Sequence, residues 1–107
     1  MRRTAVLAAG ALALFALASC GPPKPKTYTV TLANMMFGPP PAELHVGDTI
    51  EWVNADMFQH SVTARDGSFD VDLRPKARAR TVLSHAGTVD FYCRYHPGMV
   101  GRLAVAP

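Results

Sequence analysis

From Thr27 onward, apolar and polar positions alternate with a period of two. Tyr28, Val30 and Leu32 interleave with Thr27, Thr29 and Thr31, the pattern of a strand with one buried face, in residues that favour extended backbone. Similar runs fall at Glu43–Val46, at Thr49–Asn54 (Ile50 and Trp52 on one face) and at His60–Ala64 (His60, Val62 and Ala64 on one face). Further ones hold Phe69, Val71 and Leu73, then Arg80–Ser84, Thr88–Cys93 and Arg102–Ala106. Turn and breaker residues separate them: Gly38-Pro39-Pro40-Pro41, Gly47-Asp48, Arg65-Asp66-Gly67 and His85-Ala86-Gly87. No 3.6-residue apolar period persists for three turns, and no internal repeat is present. The pattern predicts an all-β domain, a Greek-key antiparallel β-sandwich over residues 27–107. Its core is modest, so a bound metal would add useful stability.

The first nineteen residues read differently. Arg2 and Arg3 precede an unbroken apolar or small run from Ala5 to Ala18, shorter than the roughly 20 residues a membrane-spanning helix needs. Residues 1–19 are therefore expected to be a secretory signal peptide. Leu17-Ala18-Ser19-Cys20 closes it and resembles the bacterial lipoprotein signal, which implies lipidation of Cys20 and a stable membrane anchor. Ordinary cleavage after Ala16-Leu17-Ala18 is the alternative. Gly21-Pro22-Pro23-Lys24-Pro25-Lys26 then reads as a semi-rigid linker, so residues 20–26 join anchor to domain. The expected location is the periplasmic side of a bacterial membrane. Gly21 after Cys20 favours the outer membrane in a Gram-negative host.

Composition sharpens the class. The chain has 107 residues, 49% of them hydrophobic, enough for one domain with a folded core. Its formal charge of +3 includes Arg2 and Arg3; without residues 1–19 it falls to +1, too balanced for a nucleic-acid binder. The stretch from Arg74 to Arg80 carries Arg74, Lys76, Arg78 and Arg80 with no acid inside it. It is expected to be a solvated loop or to steer an acidic partner.

The candidate chemistry lies in Cys93-Arg94-Tyr95-His96-Pro97-Gly98-Met99. Val89, Phe91 and Cys93 share a strand face, and the apolar pair marks it as the inner one. By the same phase argument His60 is the inner residue at the start of its own strand. One thiolate, two imidazoles and a thioether form a soft nitrogen–sulfur set suited to copper. If Cys20 is consumed, Cys93 is the one thiolate left; a structural zinc site more typically takes two or more, and a haem attached through Cys-Xaa-Xaa-Cys-His is excluded.

These residues make the chain recognisable. It resembles the cupredoxins, the small blue copper proteins that include plastocyanin and amicyanin. The matching residues are Phe37-Gly38-Pro39, Val46-Gly47-Asp48-Thr49-Ile50, Trp52-Val53-Asn54, His60, Gly87-Thr88-Val89-Asp90-Phe91-Tyr92-Cys93, His96-Pro97, Met99 and Gly101. Cys-Xaa2-His-Xaa2-Met is the short ligand loop of the amicyanin type. The resemblance implies that His60 and His96 supply imidazoles, Cys93 the thiolate and Met99 an axial thioether to one copper ion cycling between Cu(I) and Cu(II). It also implies that His96 is the electron port, and Met57, Phe58, Pro97 and Gly98 are the candidates for an apolar patch around it. One departure stands out: Ser61 follows the first histidine, where plastocyanin and amicyanin carry an asparagine that braces the Cys loop.

The expected function is one-electron transfer to and from redox protein partners, by a monomer and not an enzyme. The rival is an exported copper-handling protein that stores or delivers the ion. Met35, Met36 and Met57 would fit Cu(I) traffic, although packing near the site is the expectation for them. His45, beside Glu43, and His85, in a turn, are expected on the surface.

Overall fold

Residues 24–107, with the isolated positions Ala5, Gly10 and Ala11, are described by the structure, a computed structural model. Apart from those three positions, the expected signal segment, Cys20 and the linker up to Pro23 lie outside the described residues. Nine strands follow: β1 Thr27–Ala33, β2 Met36–Phe37, β3 Leu44–His45, β4 Thr49–Asn54, β5 His60–Ala64, β6 Asp70–Leu73, β7 Arg78–Val82, β8 Gly87–Cys93 and β9 His96–Ala106. They form two sheets, ordered β2-β1-β4-β7 and β3-β9-β8-β5-β6. The all-β sandwich is as the alternation predicts.

Two pairings are parallel: β1 with β4, running Thr27 beside Thr49 to Leu32 beside Asn54, and β3 with β9. Parallel neighbours need a long connection. The chain supplies one by leaving β2, crossing to the other sheet as β3 and returning as β4. β1 and β2 are joined by a two-residue turn in which Asn34 and Met35 both have positive φ, 54° and 61°, the backbone that matches strand twist in tight hairpins.

Period-two burial holds best in β4, where Ile50, Trp52 and Asn54 are buried and their neighbours half-buried. Trp52 is the hub of the core. Its ring meets Phe91 at 5.4 Å and Phe69 at 6.2 Å between centroids, and Phe37 lies edge-on to Phe91 at 4.8 Å. The buried indole N–H donates to Thr81 Oγ1 at 3.0 Å, as a desolvated donor requires.

Several expectations are corrected. The basic stretch does meet an acid: Glu51, across the sheet on β4, pairs with Arg78 and Arg80. β7 starts at Arg78, not Arg80. Met35, Met36 and Met57 are exposed, by 37%, 63% and 75%, instead of packed. His45 is half-buried beside Asp48, whereas His85 is exposed as expected.

Candidate metal centre

The end of β8, the starts of β5 and β9 and the end of β6 meet at one pole of the sandwich. His60, Cys93 and His96 are brought together there, their ligand atoms within 4.8 Å of one another. Cys93 Sγ stands 3.8 Å from His60 Nδ1 and 3.6 Å from His96 Nδ1. A metal–sulfur bond of about 2.3 Å and metal–nitrogen bonds of about 2.0 Å, opened to about 120°, put sulfur and nitrogen roughly 3.7 Å apart. Both sulfur–nitrogen separations therefore match those of donors sharing one small ion.

Local structure explains the convergence. β8 and β9 are joined by Arg94-Tyr95 alone, so His96 pairs directly with Cys93, and the register shifts between Tyr92 and Cys93. That irregularity lets His96 turn toward the sulfur while Pro97 and Gly98 bulge outward, exposed. The strand resumes at once, and β9 thus begins at His96 instead of the predicted Arg102. Met99 is buried on it, 5% exposed, in the same packed cluster as Cys93.

Burial grades the three donors. His60 and Cys93 are wholly buried, and His96 is half-buried, its ring 5.1 Å from that of His60 and 6.4 Å from Phe58. Among the described residues, His96 is therefore the member of the group that is open to solvent.

A carboxylate not expected from the sequence sets the His60 tautomer. Asp56 Oδ2 accepts the His60 Nε2–H at 2.8 Å, which leaves the Nδ1 lone pair facing Cys93, the arrangement metal-ligating histidines need. Asp56 also accepts the backbone N–H groups of Asn34 and Met35, at 2.8 and 3.0 Å. The His60 hydrogen bond first, then the Met35 N–H, hold its carboxyl below the usual carboxylate range. Asn54, fully buried, shapes the loop between. Its Oδ1 accepts the Asp56 N–H, and its Nδ2 donates to the carbonyls of Phe58, Leu73 and Arg74.

Ser61 acts on the thiolate side. Its N–H donates to Cys93 Sγ at 3.3 Å, and its Oγ accepts the Arg94 N–H at 2.8 Å. A serine therefore braces the cysteine loop here, with a hydroxyl in place of an amide. His45 lies at the opposite pole, bonded to Asp48, and takes no part.

Fold and site together define a class: a two-sheet sandwich with a buried sulfur and two imidazoles at one pole. Comparison with known proteins agrees. Residues 5–105 match the cupredoxin-like domain. The chain is 32% identical over 108 residues to amicyanin-alpha of Methylorubrum extorquens, covering 95% of this chain and 87% of that one. It is 29% identical over 119 residues to plastocyanin of a Synechococcus species, covering 92% and 86% respectively. Among solved structures, a reduced amicyanin variant superimposes with a TM-score of 0.63 at 30% identity, over 74% of this chain and 81% of that one. The chain belongs to the cupredoxin-like family.

Proposed function

We propose that this protein is a blue copper electron carrier, in which His60, Cys93 and His96 would hold one copper ion and Met99 would supply a weaker thioether donor. The observation that carries the reading is the approach of two Nδ1 atoms to one buried Sγ, at 3.8 and 3.6 Å. One thiolate, two imidazoles and a thioether are the donors of blue-copper sites. Copper, when bound, supplies the Cu(I)/Cu(II) couple. The chain's part is to keep the donors still: Asp56 fixes the His60 ring, Ser61 fixes Cys93, and strand pairing fixes His96 against it. The reading is of a carrier and not an enzyme.

His96 is the electron port in this reading, being the half-buried ligand residue at the pole. Phe58, 58% exposed, has its ring 6.4 Å from that of His96; exposed Met57 is its neighbour in the chain, and exposed Pro97 and Gly98 follow His96. Such an apolar collar suits a small, quickly released contact with a redox protein.

The test is direct. Cu(II) added to the purified protein should produce the intense thiolate-to-copper band in the visible, absent from Cys93→Ser, and a reversible response at an electrode. A colourless complex would reject the site. A second reading, copper storage or delivery, draws on the exposure of Met35, Met36 and Met57, since thioethers favour Cu(I). A blue protein that exchanges no electrons at an electrode would support it.

Export and lipid anchoring at Cys20 complete the proposal, resting on Arg2-Arg3, the apolar run and Leu17-Ala18-Ser19-Cys20. Mass spectrometry of the membrane fraction decides the anchor: an unmodified Cys20 rules out lipidation and leaves ordinary cleavage after Ala16-Leu17-Ala18.

A further inference from the structure

Two residues separate Cys93 from His96, and both are tied to strands on which neither lies. The Arg94 guanidinium reaches β5 and β6: Nη1 donates to Thr63 Oγ1 at 3.0 Å and to Asp70, and Nη2 donates to Asp72 Oδ1 at 2.7 Å. The Tyr95 hydroxyl donates to the same Asp72 oxygen at 2.8 Å.

The protons around Arg94 can be assigned one by one. A carboxylate only accepts, so the single Thr63 hydroxyl proton goes to Asp70 Oδ1, 2.9 Å away. The Ser61 hydroxyl must then donate to Thr63 Oγ1, at 2.9 Å. That leaves a Ser61 lone pair for the Arg94 backbone N–H, at 2.8 Å. The ring starts at the Arg94 backbone and closes on the Arg94 side chain. It includes Ser61, whose own N–H bonds the Cys93 sulfur.

The Arg94 side chain is 34% exposed, Asp70 and Asp72 56% and 53%, and each ion pair so open to solvent contributes little to folding by itself. From the geometry we infer that Arg94 is a positioning residue: its fork, held by Asp70 and Asp72, fixes the Arg94-Tyr95 turn and with it the Cys93 and His96 donor atoms. The inference rests on the copper reading above, but the clamp itself is a property of the chain.

Arg94→Gln and Arg94→Lys test it in the full-length protein, because lysine keeps the charge and loses the fork. Without copper, iodoacetamide alkylation of Cys93, read by peptide mass mapping, should run at least fivefold faster in both variants. The denaturation midpoint should stay at the wild-type value. Loaded with copper, both should show an altered ratio of visible bands and electron self-exchange slowed at least threefold. Asp72→Asn, which leaves the Ser61–Thr63–Asp70 ring intact, should give an intermediate alkylation rate. Arg94→Lys indistinguishable from wild type would overturn the inference, since charge alone would then suffice. Faster alkylation with a proportionate loss of global stability would overturn it too. A wild-type protein without the visible band defeats the copper reading, while the alkylation arm still decides the clamp.

Discussion

At Asp56 one carboxylate serves two neighbours, accepting the His60 Nε2–H and the backbone N–H groups of the Asn34-Met35 turn. Removing the orienting partner of a metal-ligating histidine commonly lowers metal affinity about ten- to hundredfold. Asp56→Ala is therefore expected to lose copper to a competing chelator at that lower affinity, with the visible band weakened and not abolished. His60 and Cys93 were legible because each lies in phase with buried apolar residues of a period-two strand, Val62 in one and Phe91 in the other. Asp56 was not, for it sits in an aperiodic loop between Ala55 and Met57 and meets its partner only once Asn54 has folded that loop. The three exposed methionines mark the converse limit. Apolar identity does not imply burial, and positions in the 34–37 hairpin and the 55–59 loop decide exposure there.

The β8–β9 hairpin is the element on which the site depends, and Gly101 opposite Phe91 keeps its strands close. A Cβ at Gly101 would come within 2.3 Å of the Phe91 ring, and that ring is boxed in by Phe37, Trp52 and Phe69. Gly101→Ala should therefore cost about 1–3 kcal/mol, the usual penalty for overpacking a core, read from the chemical denaturation midpoint. The opposite sign is expected in the β1–β2 turn. Met35 holds φ at 61° with its side chain 37% exposed, a left-handed backbone that costs a residue with a Cβ about 1–2 kcal/mol. Met35→Gly should raise stability by about 1 kcal/mol, less what glycine loses in unfolded-state entropy. At this scale alternation located β4, β5 and β8 with bounds close to those observed. It missed the head of β9, because Pro97 and Gly98 read locally as a break, whereas His96 pairs with Cys93 on one side of the bulge and Val100 with Tyr92 on the other.

Across the whole molecule, the pole away from the metal is knotted by Asp48. Its carboxylate accepts the N–H groups of Lys26 at 2.8 Å and His45 at 2.9 Å, tying the start of β1 to β3. The Lys26 N–H above all, aided by that of His45 against the opposing effect of burial, holds this carboxyl below its ordinary range. A lowered folded-state pKa contributes stability that is full above the unfolded value, near 3.9, and is lost as pH falls through the folded one. Asp48→Asn, which turns an amide toward one of these donors, should cost about 1–3 kcal/mol at neutral pH. The difference from wild type should shrink below about pH 4, as urea titrations at several pH values would show. The sandwich class was legible from strand count and spacing, but the parallel partners were not. The pairing of β1 with β4 and of β3 with β9 depends on where connections cross between sheets, and such crossings leave no local pattern. The same pairings fix a direction. The chain arrives through Lys26, whose carbonyl receives the Thr49 N–H, at the pole opposite the ligands, and β1 then runs its seven residues, roughly 20 Å, toward them. The His96 face thus lies at the end of the domain opposite the one through which the chain enters at Lys26, so a partner docking there meets none of the incoming segment Lys24–Lys26.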